Sequence, residues 1–200
     1  EAFMARRDLP VLAQAAIAHA RFETIHPFAD GNGRTGRALV HAILRARGVT
    51  SSVALPISAG LLAQVDDYFA ALDAYRAGNV ELIVELTARA ALEAVERGSW
   101  LAAELLEIRA EWNGILTARK DALAWQVLDL LIRRPVLTTA AVAEEFAVSA
   151  EAARNALDRL EADGIAASAQ VDKRQRAWRS PDVLFLLDDF AAAASRRTPG

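Results

Sequence analysis

The sequence predicts an all-α protein, a helical bundle followed by a small winged helix-turn-helix domain with a short β-hairpin wing. Three observations carry that expectation. Apolar residues recur at helical spacing almost throughout the chain. One dense loop, HPFADGNGRTGR at residues 26–37, lies between two of the predicted helices. Beyond residue 121 the pattern runs helix, capped helix, short turn, helix, hairpin, helix, the rhythm of a winged helix-turn-helix.

Taken in order, a first helix is predicted over 8–25. Leu9-Pro10 suits a helix entry, and Val11, Ala15, Ile17, Ala18 and Phe22 form an apolar stripe. The second, over 34–47, buries Leu39, Val40, Ile43 and Leu44 and ends at Gly48. Residues 49–57 read as extended and irregular, up to Pro56. Helices follow at 59–77 and 79–97, broken at Gly78-Asn79, and at 99–118. The acids Glu81, Glu85, Glu93 and Glu96 read as a solvated helix face. A domain boundary is expected at 118–121, giving domains 1–118 and 119–200. In the second, helix 122–133 stops before Pro135, Thr138-Thr139 cap the next helix, and Val148-Ser149 form the turn. Helix 150–163 is closed by Gly164, 165–179 form the wing, and 181–194 the last helix, with a frayed tail after Ser195.

Composition narrows the function classes. Two hundred residues suffice for one or two domains with a real core. A net charge of −3 gives no global electrostatic case for nucleic acid or an anionic membrane. The absence of cysteine excludes disulfides, thiolate nucleophiles and zinc fingers, and fits a reducing cytoplasm. No apolar run reaches membrane-spanning length, so no membrane partner is expected.

The chemistry concentrates in 26–37. Proline after His26 biases that residue away from the helical region and ends the preceding helix. Gly31, Gly33 and Gly36 let the backbone turn tightly and approach a ligand closely. Backbone N–H groups running into a helix N-terminus make an anion site suited to phosphates. Arg34 and Arg37, three apart, share a helix face and can clamp phosphate oxygens. Asp30 supplies the oxygen ligand that a phosphate-bridging Mg²⁺ uses. Histidine is the side chain type whose ordinary titration lies nearest neutrality, so His26 suits a general base. Together these groups indicate nucleotide chemistry. His41 shares the face of Arg34 and Arg37, whereas His19 is read as packed or solvent-facing; three histidines so spaced form no zinc site.

At these residues the sequence resembles the Fic family, whose motif is His-x-Phe-x-(Asp/Glu)-Gly-Asn-Gly-Arg-x-x-Arg. Every specified position is matched, by His26, Phe28, Asp30, Gly31, Asn32, Gly33, Arg34 and Arg37. The similarity covers about residues 8–48 and weakens through the helices to about 118. It is to bacterial members with a C-terminal winged helix domain. The resemblance implies an all-α enzyme that transfers AMP from ATP to a Ser, Thr or Tyr hydroxyl of a target protein and releases pyrophosphate. It assigns His26 as base, Asp30 to Mg²⁺, Gly31, Asn32 and Gly33 to the phosphate nest, and Arg34 and Arg37 to phosphate oxygens. Phe28 would point inward and anchor the loop. A Gly-Asn-Gly-Arg loop, without the lysine of phosphate-transferring relatives, favours AMP transfer. Asp67, Tyr68 and Phe69 align with a family segment near the adenine pocket, which makes Tyr68 a candidate for stacking on the base.

Two family elements are missing from this sequence: the β-hairpin flap that aligns the target, and the inhibitory helix (Ser/Thr)-x-x-x-Glu-(Gly/Asn). The 25 residues before His26 are helical in pattern, and the chain opens on Glu1, so an N-terminal part is expected to be absent. The second domain offers Arg154, Asn155, Arg159, Lys173, Arg174 and Arg176 as candidates for DNA contact. Against that, its 12 basic and 12 acidic residues leave residues 119–200 without net charge, so protein contact or dimerisation competes with DNA. A nucleotide-sensing transcription regulator or toxin–antitoxin component is therefore the alternative to a transferase, and the same motif also serves AMP removal in the family.

Overall fold

The computed structural model describes residues 3–51, 55–120, 122–170 and 176–195. The chain divides into two compact units, one within Glu1–Ser99 with Ala193–Gly200, the other Trp100–Ala192.

In the first unit, helix α1 (Val11–Ile25) lies against α2 (Asn32–Ala46). The buried side of α1 is Gln14, Ala15, Ala16, Ala18, His19 and Ala20, and its four alanines let a second helix come close. Gly36 of α2 exploits this: a Cβ there would sit 3.0 Å from the His19 ring. Apolar burial of Val40, Ile43 and Leu44 against Ala15 and Ala18 holds the pair together. Their far ends are tied by Gln14, whose amide donates to Phe3 O at 2.8 Å while its carbonyl accepts from Arg47 at 2.6 Å. The segment expected as one helix over 59–77 is two, α3 (Ile57–Ala63) and α4 (Val65–Arg76). Gln64 leaves the helical region (φ −121°, ψ 52°), and Asp66 and Asp67 then suit the positive N-terminus of a new helix. Helix α5 (Glu81–Ile115) runs without a break through Gly98, where the sequence suggests two helices. One glycine costs a helix interior only about 1 kcal/mol, too little by itself to end a helix of 35 residues.

The second unit has α6 (Leu123–Arg133), β1 (Val136–Thr138), α7 (Thr139–Phe146), α8 (Ala150–Ala162), β2 (Ala167–Gln170), β3 (Arg176–Arg179) and α9 (Pro181–Ser195). Thr138 caps α7 by accepting from Ala141 N at 3.2 Å, and Ser149 caps α8 by accepting from Ala152 N at 3.1 Å. Both N-caps fall where the threonine pair and the Val-Ser turn predict. Strand β1, absent from the sequence reading, pairs antiparallel with β3, Leu137 opposite Trp178; β2 pairs with the other edge of β3. Trp112, Leu128, Leu131, Leu157, Leu160 and Trp178 form the core of this helix-turn-helix and wing. The helical architecture with its small wing is the one the sequence predicts.

Candidate active site

Helix α1 ends where proline makes its continuation impossible. The residue before a proline is expected to be extended, yet His26 is left-handed (φ 49°, ψ 58°), and its N–H still donates to Phe22 O at 2.9 Å. The left-handed turn closes the helix and carries the imidazole out of it. The His26 side chain is 62% exposed, and its Nδ1 lies 3.8 Å from Glu23 Oε2, one turn back on α1.

The loop that follows is held by Asn32. Its carbonyl accepts from Phe28 N at 3.0 Å and its amide donates to Phe28 O at 2.6 Å, with the side chain buried. The Asn32 side chain is thus consumed by the loop backbone, leaving the residue's own N–H for a ligand. Clamped this way, Phe28 does not enter the core. It is 50% exposed and tilts against Phe22 at 6.1 Å between ring centroids. Phe28 is therefore not the inward anchor that the family resemblance implies; the buried Asn32 side chain holds the loop instead.

Gly31 (φ 86°) precedes α2 as its N-cap and supplies no capping side chain. The first-turn N–H groups of α2 therefore meet the loop uncapped, at the positive end of the helix dipole. Both arginines fold back over the glycines. A Cβ on Gly31 would lie 3.5 Å from the Arg34 guanidinium, and one on Gly33 would lie 3.4 Å from that of Arg37. Arg34 also pairs with Asp30 at 3.2 Å, both well exposed. The other Asp30 oxygen accepts from Gly31 N at 2.7 Å. Asp30, Gly31, Asn32, Gly33, Arg34 and Arg37 thus gather at one helix N-terminus. Gly36, read from sequence as a ligand-approach glycine, is buried in the α1–α2 contact, where its missing Cβ is needed for packing.

Beneath the loop is a polar group that the sequence reading did not identify. His19 is buried, and its Nε2 is hydrogen-bonded to the Tyr68 hydroxyl at 2.9 Å. Burial pushes the His19 imidazole below its usual 6.5, against the pull of nearby Glu23. Burial, and then the Glu23 carboxylate, push Tyr68 up to about 12, so it stays a neutral phenol. Tyr68, the candidate base-stacking residue, has exposed Phe69 tilted beside it at 5.6 Å. In the sequence His19 and Glu23 are four apart on α1 and His26 follows three later at its end, a spacing that places them together without showing that the side is covered. A separate cavity of about 470 Å³, lined by Met4, Ile17, Phe22, Ile25 and Tyr75 among others, is apolar. None of the loop's phosphate-binding candidates borders it.

Of the candidates for DNA contact, Asn155 is exposed on α8. Arg154 pairs with Asp158 at 3.5 Å and Arg159 with Asp163 at 2.9 Å. Arg176 reaches Glu161 at 2.7 Å and stacks on Trp178. Lys173 and Arg174 lie outside the described residues.

Residues 1–44 match the model of the Fic/DOC family. The similarity to that family lies in this N-terminal segment, which contains α1, the loop and the start of α2. Over 43 residues the chain is 49% identical to a probable protein adenylyltransferase of Aquifex aeolicus (strain VF5), a match covering 22% of this chain and 13% of that one. Over 86 residues it is 33% identical to the protein adenylyltransferase fic-1 of Caenorhabditis elegans, covering 43% of this chain and 16% of the relative. These matches thus span a small fraction of the curated relatives' length. Among solved structures, a Fic family protein from Desulfovibrio desulfuricans G20 aligns with TM-score 0.45 and 24% identity, over 90% of this chain and 52% of that one.

Proposed function

We propose that this chain carries the catalytic loop of a Fic-type protein adenylyltransferase that uses ATP to place AMP on a Ser, Thr or Tyr hydroxyl of a target protein. The observation behind this reading is the uncapped N-terminus of α2, with Arg34 and Arg37 laid over Gly31 and Gly33 and an exposed His26 at the end of α1. Triphosphate oxygens are the ligand such a cradle suits: backbone N–H groups and a helix dipole favour anionic charge, and two guanidinium groups neutralise it. The names of the relatives point the same way.

In this reading the backbone of Gly31, Asn32 and Gly33 and the Arg34 guanidinium hold the α- and β-phosphates, and Arg37 holds the distal one. Tyr68 and Phe69 offer ring faces for the base. His26 takes the proton of the target hydroxyl as the new oxygen–α-phosphorus bond forms. The bond from that phosphorus to the bridging oxygen breaks, and its electrons leave with pyrophosphate. Among the described residues no three His, Cys, Asp or Glu side chains converge to hold a metal. Asp30 alone suits Mg²⁺ that arrives with the phosphates, since Mg²⁺ on a nucleotide needs only one or two protein carboxylates. When bound, the ion would neutralise charge on the pyrophosphate. A cytoplasmic, ATP-supplied setting suits this chemistry, and among the described residues no helix is long and apolar enough to cross a membrane.

The alternative of a DNA-reading regulator draws less support, because the α8 arginines are already paired with acids. The test is incubation of the full-length protein with α-labelled ATP and Mg²⁺, beside His26→Ala and Arg37→Ala. Label should appear on protein, vanish in His26→Ala with ATP affinity retained, and fall in Arg37→Ala through weaker ATP binding. Equal labelling by His26→Ala would overturn the base assignment; unchanged ATP affinity in Arg37→Ala would overturn the clamp.

A further inference from the structure

Glu23 is placed at a cost that its own contacts do not offset. Its side chain is only 12% exposed, and it lies in the last turn of α1, where the negative end of the helix dipole disfavours a carboxylate. One of its oxygens, Oε1, is buried with no hydrogen-bond partner. Helix α2 is cut back to admit it, since a Cβ on Gly36 would stand 2.6 Å from that oxygen. The other oxygen, Oε2, lies 3.8 Å from His26 Nδ1. A buried, half-satisfied carboxylate is expensive, and proteins keep such groups chiefly where they act on a neighbour. Its charge acts on His19 and Tyr68 beneath it, and its one ionic contact is with His26, whose ring is otherwise exposed and has no other ionic partner among the described residues.

We propose that Glu23 is a positioning residue for His26, accepting a hydrogen bond from Nδ1–H and so fixing the imidazole in the tautomer that leaves Nε2 bare. The proposal rests on the reading of His26 as the base. The gap of 3.8 Å closes by rotation of the imidazole, as hydrogen bonds in ligand-free sites commonly tighten when substrate arrives. The target hydroxyl's proton then goes to Nε2, Nδ1 keeps its own, and the ionised carboxylate steadies the imidazolium. Glu23 touches no substrate in this account. Gly36 has a role in it too, as the gap in α2 that lets the carboxylate lie beneath the loop.

The test reads the tautomer directly. Two-bond proton–nitrogen spectra of the ¹⁵N-labelled protein, with the His26 signals assigned by their loss in His26→Ala, should show Nδ1–H in the wild type. Glu23→Ala should revert to the Nε2–H form that free imidazole side chains prefer, and Glu23→Gln, whose amide oxygen still accepts, should retain Nδ1–H. For AMP transfer, Glu23→Ala should lower kcat on the order of 10–100-fold with ATP affinity unchanged, and Glu23→Gln should recover part of it. A wild-type His26 in the Nε2–H form, or a tautomer indifferent to Glu23→Ala, overturns the proposal. Should Glu23→Ala not fold, the wild-type and Glu23→Gln spectra decide alone. A full-length protein that transfers no AMP sinks the transferase reading, while the tautomer still decides whether Glu23 orients His26.

Discussion

At the scale of residues, His19 shows how the site is coupled to the stability of the fold beneath it. Its imidazole is buried, bonded to Tyr68 through Nε2, and held below the usual 6.5 by loss of solvation. An unfolded chain therefore binds a proton at His19 at a higher pH than the native protein does. Stability contributed by neutral His19 is then fully present above about 6.5 and is lost as pH falls through 6.5 toward the lowered native value. Carboxylates also titrate on acidification, so the comparison needs a control. His19→Gln keeps a polar group without the titration, and between pH 7.5 and 5.5 its Tm should fall less than that of the wild type. Equal losses would place the pH dependence elsewhere. Reading the sequence alone, His19 is indistinguishable from a surface histidine, because only the packing of α2 and α4 against α1 shows which face is covered. The loop candidates rest on the opposite kind of signal, although the exposed Phe28 and the packed Gly36 depart from what it implied. Their proposed chemistry lies in residue type and spacing, which a sequence carries directly.

At the scale of elements, glycine is the residue whose meaning depends most on its neighbours. Gly36 and Gly98 are both helical, and neither identity reveals which is needed. At Gly36 an added methyl meets Glu23 and His19; at Gly98 it meets nothing within 4 Å. Gly98→Ala should therefore raise stability by about 1 kcal/mol, since it adds helix propensity without a clash. Gly36→Ala gains the same propensity but overpacks the α1–α2 contact, a penalty typically of about 1–3 kcal/mol, and its net effect should be destabilising. Urea denaturation of the two variants checks both signs; a stabilised Gly36→Ala would mean that His19 and Glu23 yield freely. This contrast explains what the sequence could not settle about the helices. Caps at Thr138 and Ser149 are local and were readable, as were the ends of α1 at Pro27 and of α6 before Pro135. The pairing of β1 with β3 joins segments about forty residues apart, and neither the continuity of α5 through Gly98 nor the break at Gln64 is marked by a residue type that compels it.

At the scale of the whole molecule, the question is whether the winged unit adds nucleic acid to the chain's partners. A DNA-reading helix offers free guanidinium and amide groups to the groove, and a basic surface to the phosphates. On α8, Arg154 and Arg159 are instead held by Asp158 and Asp163, each four residues on, and Asp163 also caps Thr117 through its backbone N–H. The β3 residue Arg176 is held by Glu161 and Asp158. Engaging a duplex would expose those acids to phosphate as the arginines turned away, so each gained contact carries a repulsion with it. With residues 119–200 neutral overall, counterion release gives little help. Binding of the full-length protein to duplex DNA, including its own promoter, is thus expected to be no tighter than about 10⁻⁶ M at physiological salt, the range of non-specific contact. Fluorescence titration at two salt concentrations measures this. A Kd of about 10⁻⁸ M or below, with strong sequence preference, would mean that the ion pairs open on the duplex and would move the balance toward a regulator that reads DNA through Asn155 and its neighbours. Weak, sequence-indifferent binding would leave the paired face of α8 as a surface for protein, consistent with a loop whose proposed substrate is itself a protein.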